Sequence, residues 1–396
     1  ILGNPLMVAG FPFATWVLYA FYMGVLLMTL KYIIFQRDKR TFALSTLAFV
    51  CCVIIVTINS MFYDRSFFQM LSNSVHYVIP VLIYTYVYGM KNRMKFYRSF
   101  TILVVIAGIL SAMFMFGTLS GFGFLNITLI GALTRSSLLV DGGLGIIAYC
   151  VGIYSITYKN DKITTRNAVL LTVFGLLIVI ASQSRARILT IIICTIFFLL
   201  EIELGHGKQE HMWLKTVGGI LVLLLVVITI FPEQFNTIQT QILGRFSEMG
   251  TDNSSIYRRY EFAQQMELFR SSPIVGVGWN GMNDVKVVDT YGTAQTINNH
   301  NMYSTILAMG GIVLAIGYIY WFGNLIVAEC SKYRQDNEAK LHNIILLAIA
   351  IMSVSSAGFS KTSMVIGMII IYVNIIERND RRRSIGYETD RYPNVS

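Results

Sequence analysis

The stretch VIASQSRARILTII, Val179–Ile192, sets Arg185 and Arg187 inside an apolar run that extends from Ala168 to Leu200. A charge at the centre of a lipid-facing helix costs roughly 2.5–3.5 kcal/mol, so two of them need a reason. One continuous helix over this run would measure about 50 Å, against a hydrocarbon core of about 30 Å. The stretch therefore reads as a helical hairpin over 167–203 that turns at SQSRAR. Each arm holds about 14–17 apolar residues, or roughly 21–26 Å, which sinks the turn below the membrane surface. Polar turns at that depth are tolerated where they are buried in protein or line a water-filled cavity. The expectation is a pocket lined by Arg185 and Arg187; a shallow turn with both arginines at the headgroups is the plainer alternative.

Outward from this hairpin the same pattern repeats. The chain has 396 residues, 55% of them hydrophobic and 13% charged, the composition of a polytopic membrane protein. Apolar runs long enough to approach a span lie near 7–30, 42–61, 70–90, 99–117, 139–158, 167–182, 187–203, 216–232, 301–326, 342–358 and 362–376. The expected fold is one all-α integral membrane domain over 1–396 with about 11 transmembrane helices. Because the sequence opens on Ile1, a twelfth helix, a short leader or a cleaved signal peptide is expected ahead of it.

Lys and Arg are retained in cytoplasmic loops, so their distribution orients the spans. One side collects 21 of the 31 basic residues, Lys31 with those in loops 36–40, 91–98, 159–166, 205–215 and 331–340 and in a tail over 377–396. That side is expected to be cytoplasmic, with its basic residues acting as topology determinants against anionic lipid. The other side holds eight Arg and two Lys, Lys286 and Lys361. Arginine suits bidentate phosphate recognition, so this side reads as an anion site unless the excess is chance. The five cysteines show no disulfide or metal-ligand spacing, and nothing points to nucleic acid.

Two loops on the arginine-rich side are long, 118–138 and 233–300, and long loops are usually functional. In the second, SSIYRRYEFAQQMELFRSSP reads as a helix with Ser254 or Ser255 as cap and Pro273 beyond its end. Phe262, Met266 and Phe269 form an apolar stripe that includes Arg258, while Arg259 is rotated about 100° away. An arginine beside free amides at a helix start suits an oxyanion; an interfacial helix with snorkelling arginines is the alternative. PIVGVGWNGM follows, with Gly276, Gly278 and Gly281 in a tight turn. It is not a nucleotide-binding fingerprint, since no strand precedes it. Next comes NNHNMYSTILAMGGIVLAIGY, where His300, Asn301 and Tyr303 open a long span. Imidazole titrates near neutrality and can act as a general base or a phosphate donor, or simply cap the helix. His76, near Asn73 and Pro80, reads as a satisfied buried polar group.

Together these stretches resemble the O-antigen polymerase and O-antigen ligase superfamily, the Wzy-type, GT-C-like membrane glycosyltransferases of bacteria. The likeness covers roughly residues 167–330. It rests on an S-x-S-R turn (Ser182, Ser184, Arg185), on Arg258 followed by P-x-x-G-x-G (Pro273, Gly276, Gly278), and on His-Asn at a helix start. The pattern H-[NSQ]-x9-G-x-x-[GTY] fits His300, Asn301 and Gly311 but ends on Leu314, and Ala186 stands where a glycine is often found. The resemblance implies an enzyme of the bacterial inner membrane, with the active site facing the periplasm and the C-terminus in the cytoplasm. It would transfer a glycan from polyprenyl pyrophosphate to the sugar hydroxyl of another lipid-linked repeat, making O-antigen, capsule or exopolysaccharide, with no cofactor and no metal. Transfer to lipid A core by a ligase is the alternative, and a transporter or flippase of lipid-linked sugars is the alternative of a different class. Partners would be lipid-linked oligosaccharides, membrane lipid and a chain-length regulator. The resemblance makes His300, Arg185 and Arg258 the expected catalytic residues, and Arg187, Arg259, Arg245, Asn301 and Tyr303 the expected substrate contacts.

Overall fold

The computed structural model describes residues 7–8, 11–12, 40–62, 94–119, 142–158, 162–182, 184–204, 253–279, 281, 286–288, 294–296, 300–331, 337–355 and 362–391, with scattered positions in 74–90 and 218–247. These residues are helical apart from two small antiparallel hairpins. The helices are α1 (Arg40–Met61), α2 (Met94–Leu119), α3 (Gly142–Tyr158), α4 (Thr165–Ala181), α5 (Arg185–Leu204), α6 (Asn253–Ser271), α7 (Met302–Cys330), α8 (Asn337–Ser355) and α9 (Thr362–Arg391). Among the described residues three apolar stretches are long enough to cross a membrane, Lys95–Ala112, Met302–Cys330 and Asn337–Ser355, and shorter ones lie at Leu44–Ser60, Gly142–Tyr158 and Thr165–Ala181. The protein is a polytopic helical membrane protein. The span expected at 216–232 falls outside the described residues, as do His76 and most of the loop 118–138.

One expectation is corrected. The run 7–30 does not open as a helix: Met7–Val8 (β1) pairs with Phe11–Pro12 (β2), and Pro12 has no amide to donate to a helix. The tail over 377–396 is helical in its described part. Helix α9 continues through it to Arg391, because ERNDRRRS offers helix formers with no early breaker.

Helix α3 is apolar all round and buried over nearly its whole length, so it forms the centre of the bundle, against α4, α5, α8 and α9. Its contact with α4 is made by small residues. A Cβ on Gly145 would stand 2.6 Å from the Gly175 carbonyl, and one on Gly152 would stand 2.4 Å from Thr172 Oγ1. Such backbone-close approach replaces the hydrophobic drive that helices lack inside lipid. Helix α7 packs likewise on α1, where Gly317 faces Cys52 and Phe49 stacks on Trp321 at 5.4 Å.

From α3 to α5 and from α7 to α9 successive helices alternate in direction, and this gives the bundle two ends. The ends of α1, α4 and α8 and the starts of α3, α5, α7 and α9 lie together at one of them: Ser182 and Arg187 touch Gly142, and Ser363 touches Gly143. The opposite end holds ion pairs with little exposure to solvent. Lys162 lies 3.0 Å from Glu338 and 2.7 Å from Glu377, and Arg378 grips Glu329 at 2.6 and 3.2 Å. His342 Nδ1 is 2.5 Å from the same Glu329. Lys162, Lys340 and Arg378 were expected to meet lipid; instead they fasten helices to one another, Lys340 by way of Glu201 at 3.8 Å.

Candidate functional site

The hairpin turn is short. Helix α4 ends at Ala181, Ser182 caps it by donating to Val179 O at 2.7 Å, and α5 begins at Arg185. The amides of Arg187 and Ile188 donate to the Ser184 carbonyl at 3.1 and 3.0 Å, which closes the first turn. Arg185 and Arg187 therefore sit at a helix N-terminus, where the dipole already presents positive charge and disfavours cations. Tertiary contacts, not local preference, hold them there. The stem of Arg187 lies against Gly142, whose missing side chain makes the room: a Cβ there would be 2.6 Å from Arg187 Cδ. Arg185 Nη2 reaches Ser255 Oγ at 3.5 Å, the outer limit of a hydrogen bond.

Ser255 lies in the first turn of α6, and Arg258 follows three residues later, on the neighbouring turn of the same side. Both Arg258 and Arg259 are exposed. Arg245 lies outside the described residues. The apolar stripe expected on this helix is not its packed face. Phe262 is 48% exposed, whereas Glu261 and Gln265 are buried and Tyr257 and Leu268 pack on the core. The reason is the partner: α6 lies against the start of α7, which offers hydroxyls and amides at that point instead of an apolar surface.

The polar chain across this contact is continuous. His300 Nδ1 is 2.8 Å from Glu261 Oε2, and the backbone amide of His300 donates to Glu261 Oε1 at 2.9 Å. Gln265 Nε2 donates to the same Oε1 and to Thr305 Oγ1, each at 3.4 Å, while Ser304 Oγ donates to Gln265 Oε1. The Tyr257 ring and the imidazole stand nearly perpendicular, 87° between planes, at a centroid distance of 6.2 Å. The His300 side chain is 38% exposed and that of Glu261 3%. The imidazole thus turns one nitrogen to a buried acid and keeps part of its ring in the open.

Asn301 caps α7, its Oδ1 accepting from the amides of Tyr303 at 3.0 Å and Ser304 at 3.3 Å. Tyr303 donates its hydroxyl to Ala350 O at 2.9 Å. Both residues have structural tasks beside His300.

The glycine turn is a wedge in a helix. Helix α7 is broken at Gly311, at φ 58° and ψ −158°. The bonds that should join Ala308 to Ile312 and Met309 to Val313 are exchanged for bonds to the loop. Val277 and Gly278 donate to the carbonyls of Ala308 and Met309, both at 2.9 Å, while Ile312 and Val313 donate to Pro273 at 2.8 Å and Ile274 at 3.0 Å. Four backbone groups freed by the break are thereby satisfied. Gly276 and Gly278 have φ of 68° and 79°, a region costly for any other residue. A Cβ on Gly276 would stand 2.3 Å from the Met309 carbonyl. Trp279 then pins the loop to α1, donating from its amide to Ser60 and from its indole to Thr57, both at 2.8 Å. Beyond it a small hairpin, β3 (Lys286–Val288) with β4 (Ala294–Thr296), precedes His300.

A family model described as O-antigen ligase matches residues 170–319. The match runs from the hairpin arm through Arg185, Arg258, the glycine wedge and His300 to beyond the break in α7. This segment is similar to O-antigen ligases, which supports the O-antigen polymerase and ligase superfamily for the chain. No curated protein matches the sequence. In the matched segment the S-x-S-R turn and the His-Asn helix start meet through α6, by way of Ser255 and Glu261. Sequence reading missed Glu261 and Gln265. Their spacing, four apart with Tyr257 four residues before, is a helical stripe as regular as that of Phe262, but hydrophobic periodicity favours the apolar one.

Proposed function

We propose that this protein is a glycosyltransferase that takes a glycan from polyprenyl pyrophosphate and joins it to a sugar hydroxyl of another lipid-linked repeat, at the periplasmic face of the bacterial inner membrane. The observation that carries the reading is the convergence on α6. Arg185 reaches its first turn, Arg258 stands one turn on, and Glu261, a further turn along, holds His300. A helix N-terminus bearing two arginines is unfavourable alone and favourable once a doubly charged anion arrives.

In the proposed step the acceptor oxygen bonds to the anomeric carbon as the bond from that carbon to the pyrophosphate oxygen breaks. The electron pair leaves on the pyrophosphate, and the hydroxyl proton passes to His300. Arg185 and Arg258 face the charge that develops on the leaving group, with Arg187, Arg259 and Arg245 as further cations around it. Asn301 and Tyr303 shape the wall beside His300. A second reading, a ligase that transfers polymer to lipid A core, is in keeping with the matched family's description as O-antigen ligase.

Deletion of the gene followed by glycan profiling tests both. Single repeats on the acceptor report a lost polymerase, and polymer stranded on the lipid carrier reports a lost ligase. Loss of the surface glycan, with lipid-linked repeats accumulating on the inner leaflet, sinks both in favour of a flippase.

A further inference from the structure

Resting on that reading, we infer that Glu261 is a positioning residue: it fixes the His300 proton on Nδ1 and so presents Nε2, with its lone pair, to the acceptor hydroxyl. A neutral imidazole carries one donor and one acceptor nitrogen, and the bond made by one decides the other. Glu261 Oε1 is committed as an acceptor, since the His300 amide and Gln265 Nε2 both donate to it. Oε2 faces Nδ1 at 2.8 Å. As a carboxylate, Glu261 accepts at both oxygens, and the proton on the imidazole belongs at Nδ1.

The side chain cannot turn away from this arrangement. Glu261 is 2% exposed, and Gln265, itself fully buried, is tied to Ser304 and Thr305. Thr305 Oγ1 donates in turn to Asn301 O at 2.7 Å, next to the histidine. When Nε2 takes the acceptor proton, the resulting imidazolium keeps its Nδ1–H on the carboxylate as a charge-assisted bond. The Tyr257 ring stands perpendicular to the imidazole beside it, and the exposed part of the imidazole is left for the acceptor.

The substitution Glu261→Gln gives a sharp test, because it changes one atom without changing shape. The amide oxygen must keep the Oε1 place, where two donors already point. The amide NH2 then faces Nδ1, which has to become the acceptor, and the proton moves to Nε2. We expect transfer to fall by roughly 10³–10⁴-fold, the size of effect seen when an acid-to-amide change leaves a catalytic histidine in the wrong tautomer. Glu261→Asp, which keeps the carboxylate, should recover part of the loss.

The experiment is ¹⁵N NMR of histidine-labelled full-length protein in lipid nanodiscs at about pH 8.5, above the ordinary imidazole range near 6.5. The five histidines are assigned by loss of the His300 signal in His300→Gln, and transfer from a lipid-linked oligosaccharide is assayed on the same samples. Wild-type protein should show Nδ1–H for His300, and Glu261→Gln should show Nε2–H with the rate loss above. A wild-type Nε2–H tautomer overturns the inference, as does an unchanged tautomer in Glu261→Gln or an inverted tautomer with full transfer. The expected tautomers in a protein that transfers no glycan to any acceptor would leave the hold of Glu261 on His300 standing and remove the transferase reading instead.

Discussion

Helix α7 has a histidine–glutamate pair at each end, and the two are built alike but enclosed differently. At one end His342 Nδ1 meets Glu329 at 2.5 Å; at the other His300 Nδ1 meets Glu261 at 2.8 Å. Both acids are buried. The difference lies on the far side of the ring: His342 is sealed, and its acid is also gripped by Arg378, whereas the His300 side chain is 38% exposed. A sealed pair with a compensating cation can only fasten α7, α8 and α9 together. An open pair can exchange a proton with something that arrives from outside. Burial of the imidazole, not the presence of the pair, separates a fastener from a reactive group.

That contrast can be broken at either end. The largest effect is expected from Glu329→Ala, which leaves Arg378 and His342 buried without their shared acid. Removing one partner of such a pair costs about 3–5 kcal/mol. Loss of monodisperse protein on detergent extraction, or a large drop in thermal midpoint, would report it. His300→Ala should cost no more than about 1 kcal/mol of stability while removing transfer. Equal destabilisation by the two substitutions would erase the distinction.

Next in size are Arg185→Lys and Arg258→Lys. Each keeps the charge and removes the planar fork. Initial rates of transfer from a lipid-linked donor should fall by about 10²–10³-fold with the thermal midpoint unchanged. Full activity in both would mean that no anion is held there by geometry.

Gly276→Ala sharpens the view of the wedge. The added Cβ meets the Met309 carbonyl at 2.3 Å and forces a positive φ on alanine. A loss of about 1–3 kcal/mol is expected by thermal unfolding, together with weaker coupling between α6 and His300. Unchanged stability would show that the wedge does not hold the break in α7. The smallest effects belong to the surroundings. Asn301→Ala should cost about 1 kcal/mol through the lost cap, and Phe262→Ser, at an exposed position, should stay within about 0.5 kcal/mol. A large loss at Phe262 would restore the apolar stripe as the packed face.

The sequence by itself determined the helical membrane class, the hairpin at 167–203 and the helix over 254–271, since each rests on signals local in the chain: apolar length, turn residues and proline. It also proposed Arg185, Arg258 and His300 as site residues, through motifs short enough to be read in place. What only the tertiary structure decided is how these pieces meet. Glu261 is unremarkable in the chain, and periodicity hides it behind Phe262, because whether a helix buries its apolar or its polar stripe depends on the surface it is pressed against. The break at Gly311 is equally silent, for a glycine in an apolar helix is ordinary until a loop some 35 residues earlier supplies four backbone bonds to groups that the break frees. The roles of Lys162 and Arg378 depend on charges more than 170 and close to 50 positions away. Local patterns fix what a segment is; partners distant in the chain fix which of its faces is buried and which of its charged groups are left to do chemistry.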